Sequence, residues 1–240
     1  MSVVREFSRA QVQRDYARAE RHEQSLIRGA WDNVMADPFN GFPREAFTFF
    51  RQLARNNNRD WFQAHREVYE LACREAMKQL IAALGADPAR TKISRINRDM
   101  RFARGRDPYH THIAAVVRDR YLSLSAEGLY IGAGFYRPEG PTLERFRNAI
   151  DADASGRALQ RIVTSLRRKG YRVDTHERLA AVPRGYRADH PRADLLCMKD
   201  IHAGRTVTPN TLRDAAAVER IRRAMADAQP LVDWLHAHVG

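Results

Sequence analysis

Between Arg95 and His112 the chain reads Arg-Ile-Asn-Arg-Asp-Met-Arg-Phe-Ala-Arg-Gly-Arg-Asp-Pro-Tyr-His-Thr-His, the densest run of chemically capable side chains in the sequence. A guanidinium offers a planar fork of N–H donors that matches carboxylates and phosphates, and it stays charged at any physiological pH. Asp99, between Arg98 and Arg101, can orient such forks through charge-assisted hydrogen bonds. The functional reading is an anion site lined by Arg95, Arg98, Asp99, Arg101, Arg106 and Tyr109, taking a phosphate-bearing ligand. The same residues could instead form a buried ion-pair network that fixes a loop. Spacing alone does not separate the two, because three-residue intervals drift around a helix and alternate across a strand.

An enzyme reading also has candidates. In phosphoryl or phosphodiester chemistry Asp99 or His112 would serve as base or ligand, and Arg98 and Arg101 would stabilise charge developing on the phosphate. His110-x-His112 would place two imidazoles on one face of a strand, with Asp99, Asp107, Asp189 or His190 as a third metal ligand. The pair reads better as polar loop histidines, so no metal is assigned and the cofactor is left unknown. Phosphate-binding Gly-x-x-x-x-Gly-Lys-Ser/Thr, nucleophile-elbow Gly-x-Ser-x-Gly and His-Glu-x-x-His motifs are all absent.

The run Arg95-x-x-Arg98-Asp99-x-Arg101-Phe102-x-x-x-Arg106-x-Pro108-Tyr109 resembles the signature Arg-x-x-Arg-Asp-x-Arg-Phe-x-x-x-Lys-x-Pro-Tyr of a family of conserved hypothetical proteins, mainly bacterial with some fungal members, catalogued as a domain of unknown function. Further segments resemble it too: Asn56-Asn57 through Trp61-Phe62 with Arg66 and Tyr69, Pro183-x-Gly185-Tyr186, Asp189-His190-Pro191 with the later Lys199, and the stretch from Pro230 to Leu235. The resemblance covers roughly Phe42 to Val239 and implies no reaction. Arg106 and His110 stand where the family carries lysine, which keeps a cation at the first position and removes a titratable ammonium from both. Separated polar signatures commonly assemble in one site, so Asp189 and His190 are expected against the central motif.

The formal charge of +12, from 41 lysines and arginines against 29 acidic residues, favours anionic partners, either a small molecule or a nucleic acid. Much of that excess is also what a solvated arginine-rich surface carries. The two cysteines, Cys73 and Cys197, have no metal-site or disulfide spacing and suit a reducing compartment. No apolar run is long enough to span a bilayer, and the N-terminus lacks an export-signal pattern. A cytoplasmic protein without membrane association is expected.

The elements that must position these residues follow from periodicity. Residues 1–34 read as an extension with one loosely amphipathic helix through Val12, Tyr16, Leu26, Ile27 and Trp31, and residues 35–240 as a single α+β domain. Phe47, Phe50 and Leu53 predict a short helix after Pro43. A longer helix is predicted from an Asp60 cap through Leu71 and Leu80 to Gly85. Between them, Arg59 and Arg66 could face the central motif. Ile113 to Val117 is short and apolar. Strict alternation over 121–125 and 128–136, around Ser125-Ala126-Glu127-Gly128, predicts an antiparallel hairpin at the centre of the sheet. Helices after Pro141 and from a Ser155 cap to Gly170 are expected to cover the sheet. A strand near 198–207 and helices near 212–226 and 230–238 complete the chain.

Overall fold

The computed structural model describes residues 39–99, 105, 107–136 and 138–240; the expected N-terminal extension, together with Arg101 and Arg106 of the central motif, lies outside the described residues. Phe39–Gly240 forms one compact unit. Its frame is a five-stranded, wholly antiparallel sheet in the order β1-β2-β3-β5-β4, with β1 His112–Val117, β2 Arg120–Ser125, β3 Gly128–Phe135, β4 Arg172–Asp174 and β5 Ile201–Val207. The central hairpin stands as the alternation predicts. Its turn depends on Gly128, which sits at φ +125° where an added Cβ would lie 2.1 Å from the Val207 carbonyl oxygen.

One face of the sheet is apolar. Ile113, Ala115, Leu122, Leu124, Leu129, Ile131, Ala133, Ile201 and Ala203 are buried on it, as period-two side-chain alternation requires. Helices α5 Pro141–Asp151, α6 Asp153–Arg168, α8 Ala217–Asp227 and α9 Gln229–His238 follow in the chain, with the single turn α7 Ala193–Leu196 between β4 and β5. Phe146, Ile150, Leu159, Val163, Leu166, Leu231 and Trp234 from these helices close one core against β4 and β5. The opposite face carries Tyr121, Tyr130, Gly132, Gly134, His202 and Gly204. Tyr130 lies flat over the facing Gly132 and Gly204, where a Cβ would meet its ring or hydroxyl at 2.7 and 2.0 Å. Close approach of the Tyr130 ring accounts for those two glycines.

The N-terminal helices depart from expectation in an informative way. α1 Arg44–Arg55 buries Phe47, Phe50 and Leu53 as predicted. The long helix expected after it is capped by Asn58, whose side chain accepts from the Trp61 N–H at 3.0 Å, and not by Asp60. It is then interrupted: α2 Arg59–Ala64 stops at His65, which stacks on Trp61 at 4.0 Å, and α3 Arg66–Val68 runs into a π-helical segment, Tyr69–Glu75, before α4 Ala76–Ala83. Ser155 likewise is no N-cap. α6 begins two residues earlier, and the Ser155 hydroxyl donates to the Ala149 carbonyl at 2.6 Å.

Candidate functional site

The central motif is held between the helical corner and the edge of the sheet. The segment leading into it runs antiparallel to β1: Ser94 N–H donates to the Ala114 carbonyl at 2.7 Å, and Ala114 N–H donates to the Ser94 hydroxyl at 2.8 Å. Farther along, His110 N–H reaches the Ile96 carbonyl and Arg98 N–H the Pro108 carbonyl, at 2.7 and 2.8 Å. The bend between Asn97 and Tyr109 is therefore tied at its base like a hairpin. Asn57 locks it to the helices, its amide accepting from Tyr109 N–H and donating to Tyr109 C=O, both at 3.0 Å. The Tyr109 ring stacks on Phe62 at 4.2 Å.

This clamp opens a pocket of about 280 Å³ between the motif and the π segment, lined by Arg66, Tyr69, Glu70, Arg74, Arg95, Asn97 and Tyr109 among others. Three guanidiniums and one carboxylate line it, and among the described residues the ion pair they form is a loose Glu70–Arg74 contact at 3.8 Å. Tyr69 is 1% exposed. Its hydroxyl is buried and makes no aligned hydrogen bond. Burial raises its pKa well above the usual phenol value, the Cys73 thiol adds to the rise, and the nearby Arg74 cation opposes it. A π-helical turn is uncommon, and such segments concentrate at functional sites; here it presents Tyr69, Glu70 and Arg74 to one cavity.

A second cluster lies across the sheet. His176 sits just past β4, Asp200 just before β5, and His202 on β5 opposite Asp174 and Gly134. His176 Nδ1 is 3.2 Å from both Asp200 carboxylate oxygens, and His202 Nδ1 is 3.8 Å from Oδ1. Asp200 is fully buried. Burial works to raise its pKa, but hydrogen bonds from the His176 N–H and side chain, and from Thr175, hold it below the usual range. Burial and the neighbouring His176 imidazole lower the pKa of His202, against the opposing pull of Asp200 and Asp174. Tyr136 meets the His176 ring edge-on at 4.6 Å. The cluster borders a cavity of about 770 Å³ that also touches Tyr130, Gly132, Gly134 and the helix α9 side chains Leu235 and His236.

A family model described as conserved hypothetical protein, DUF2461, matches residues 45–234. The chain belongs to this family. Searches of curated proteins and of solved structures each found no match. Within this DUF2461 domain the residues singled out from sequence separate into distinct environments. Arg95 and Tyr109 line the pocket, as does Arg66, while Arg59 does not. Arg98 turns away from it. Its Nε donates to the Tyr109 carbonyl at 3.3 Å, and burial, with the Arg98 charge as the lesser cause, lowers the pKa of His110 and of His112, whose rings stand 5.3 Å apart. Asp99 is exposed, so it is not the buried carboxylate that the ion-pair network would need.

The expected convergence of the later signature on the central motif is not among the contacts of the described residues. Asp189 is an exposed partner of Arg187 at 2.7 Å. His190 accepts from Arg192 N–H through Nδ1 at 3.0 Å and holds Asp151 through Nε2 at 3.2 Å. Arg192, almost fully buried, donates to the Ile150 and Asp151 carbonyls at the end of α5. That corner joins α5 to α6. Sequence reading missed Arg74, which looked like one more charged helix residue. It also missed His176, Asp200 and His202, whose only local trace is the Asp-x-His spacing that puts Asp200 and His202 on one side of a strand.

Proposed function

We propose that this DUF2461 protein is a cytoplasmic binder of a small phosphate-bearing molecule, held in the pocket between the π segment and the central motif. The observation that carries the reading is that Arg66, Arg74 and Arg95 line one cavity with the buried Tyr69 hydroxyl, whose O–H has no aligned acceptor among the described residues. A dianionic phosphate would take two or more guanidinium forks and accept from the phenol, giving that donor an acceptor. The pocket volume of about 280 Å³ suits a phosphate monoester better than a polymer track. His110 and His112 do not line it, so binding is favoured over phosphoryl transfer. Both cysteines are free thiols, in keeping with a reducing compartment. Among the described residues no helix is long and apolar enough to cross a membrane.

The test is a thermal-shift and calorimetric screen of the full chain with inorganic phosphate, glycerol phosphate, a nucleoside monophosphate and a short single-stranded RNA. A monoester present at a hundred times its Kd should stabilise by about 2.7 kcal/mol, or roughly 5–10 °C in Tm for a chain of this size. The double variant Arg66→Gln/Arg95→Gln should abolish the shift while leaving the unliganded melting temperature almost unchanged. Absence of any anion-induced shift, or a shift indifferent to the double variant, overturns the reading. Tighter binding of the RNA than of every monoester reassigns the site to a polymer.

A further inference from the structure

We propose that His176, Asp200 and His202 form a binding site for a divalent transition-metal ion, open toward the cavity that borders β3 and helix α9. One ligand atom from each side chain can be chosen so that all lie within 4.8 Å of one another. Donors around one ion at about 2.0–2.2 Å stand about 2.8–3.6 Å apart in octahedral or tetrahedral geometry. The His176–Asp200 separation of 3.2 Å already falls in that range, and the His202–Asp200 separation of 3.8 Å needs closure by only a few tenths of an ångström.

A plain structural His–Asp pair would account for His176 and Asp200 but not for His202. Its Nδ1 is buried and, among the described residues, has no aligned hydrogen-bond partner, the Asp200 carboxylate standing 3.8 Å away, which is costly for a buried ring nitrogen. The imidazoles of His176 and His202 lie 4.4 Å apart between ring centres, a separation at which two cations would repel and two neutral ligands can share an ion. The carboxylate is held in place from behind. Asp200 Oδ1 accepts from the His176 N–H at 2.9 Å and the Thr175 hydroxyl at 3.1 Å. Outer hydrogen bonds of this kind orient metal-ligating carboxylates.

The donor set also selects the ion. Two imidazoles and one carboxylate suit zinc, iron(II), manganese or nickel, whereas magnesium and calcium prefer all-oxygen surroundings. Three protein ligands leave coordination positions for water or substrate, as in catalytic rather than closed structural sites. Tyr130, Tyr136, Gly132 and Gly134 line the cavity those positions would face.

The experiment is calorimetric titration of the EDTA-stripped full chain with Zn²⁺, and separately with Mg²⁺, for the wild type and for His176→Ala, His202→Ala and His112→Ala. One zinc ion per chain is expected, with no comparable heat for magnesium. Zinc affinity should fall on the order of 100-fold or more in His176→Ala and His202→Ala and stay unchanged in His112→Ala. His176 is exposed and its backbone N–H still bonds Asp200 in the variant, so His176→Ala is expected to fold with a lowered metal-free melting temperature and to decide the matter even if His202→Ala folds poorly. No stoichiometric zinc, zinc binding unaltered in His176→Ala, or loss only in His112→Ala, overturns the proposal.

Discussion

Removing a single oxygen, in Tyr69→Phe, separates a ligand-binding pocket from an ordinary core because the two predict opposite signs. The ring keeps its packing on Phe49 and Phe62, each 5.7 Å away between centroids, so the change leaves no cavity beyond the hydroxyl itself. In the free protein that hydroxyl is buried without an aligned partner. Relieving an unsatisfied buried donor is worth about 1–3 kcal/mol. The lower part of that range is expected, because the Arg74 cation nearby already interacts with the oxygen. For a domain of this size each kcal/mol moves Tm by about 2–4 °C, so urea and thermal melts should show a modest gain with an unchanged urea slope. The liganded protein should respond the other way. A hydrogen bond to a charged group contributes about 1.5–3 kcal/mol, and its loss should weaken phosphate-monoester binding roughly 10–100-fold. A variant less stable than wild type would mean that the hydroxyl has a partner in the fold. A variant more stable but equal in affinity would mean that it does not meet the ligand, and either result refutes the reasoning.

Three other outcomes follow from the same geometry. Arg192→Ala should cost about 2–4 kcal/mol, measured by urea unfolding, because it strands the Ile150 and Asp151 carbonyls in a buried corner. Stability should fall as pH is lowered below about 6.5, the usual histidine pKa. His110 and His112 are held neutral in the fold by burial and by Arg98, so the unfolded chain binds protons first; their contribution is full above the ordinary pKa and lost as pH falls toward the depressed one. The gap between melting temperatures at pH 7.5 and 5.5 should narrow in His110→Gln/His112→Gln, with His202, also held below its ordinary pKa by burial, keeping part of it. Deleting residues 1–34 should leave the melting temperature nearly unchanged, since their apolar positions are too sparse to bury much surface.

What could be read from sequence was whatever repeats or turns in a standard way. The 121–136 hairpin announces itself through strict alternation and a glycine at the only position with φ far from the usual range in its turn. The hairpin that precedes it does not. Its β1–β2 turn uses Arg118 and Asp119 at φ +47° and +60°, where Asn-Gly would be expected. Tertiary contacts hold it there, with Arg118 donating to the Gly85 carbonyl at 3.1 Å. The π segment was equally hidden, because Leu71, Ala76 and Leu80 keep an apolar rhythm while the backbone takes in an extra residue per turn. Arg95, Tyr109 and Arg66 emerged from motif and spacing. The Tyr69 hydroxyl and the His176–Asp200–His202 cluster did not, since each depends on which chain segments the sheet order brings together.

The arginine excess itself resolves into two populations once their partners are known. Arg192 donates to the last carbonyls of α5, Arg120 to Met225 near the end of α8, Arg145 to Val239 at the end of α9, and Arg222 to Ala83 at the end of α4. Helix C-termini expose unsatisfied carbonyls and carry the negative end of the helix dipole, so a guanidinium there serves the fold. Arg66 and Arg95 do nothing comparable among the described residues, and Arg74 has a loose contact with Glu70 and lies beside the Tyr69 hydroxyl. Charge that satisfies no internal acceptor can be removed without stranding one. Arg66→Gln and Arg95→Gln should therefore change anion binding and leave stability in place, whereas Arg192→Ala and Arg120→Ala should lower stability while the folded fraction retains its affinity. The opposite pairing would return the pocket arginines to the fold.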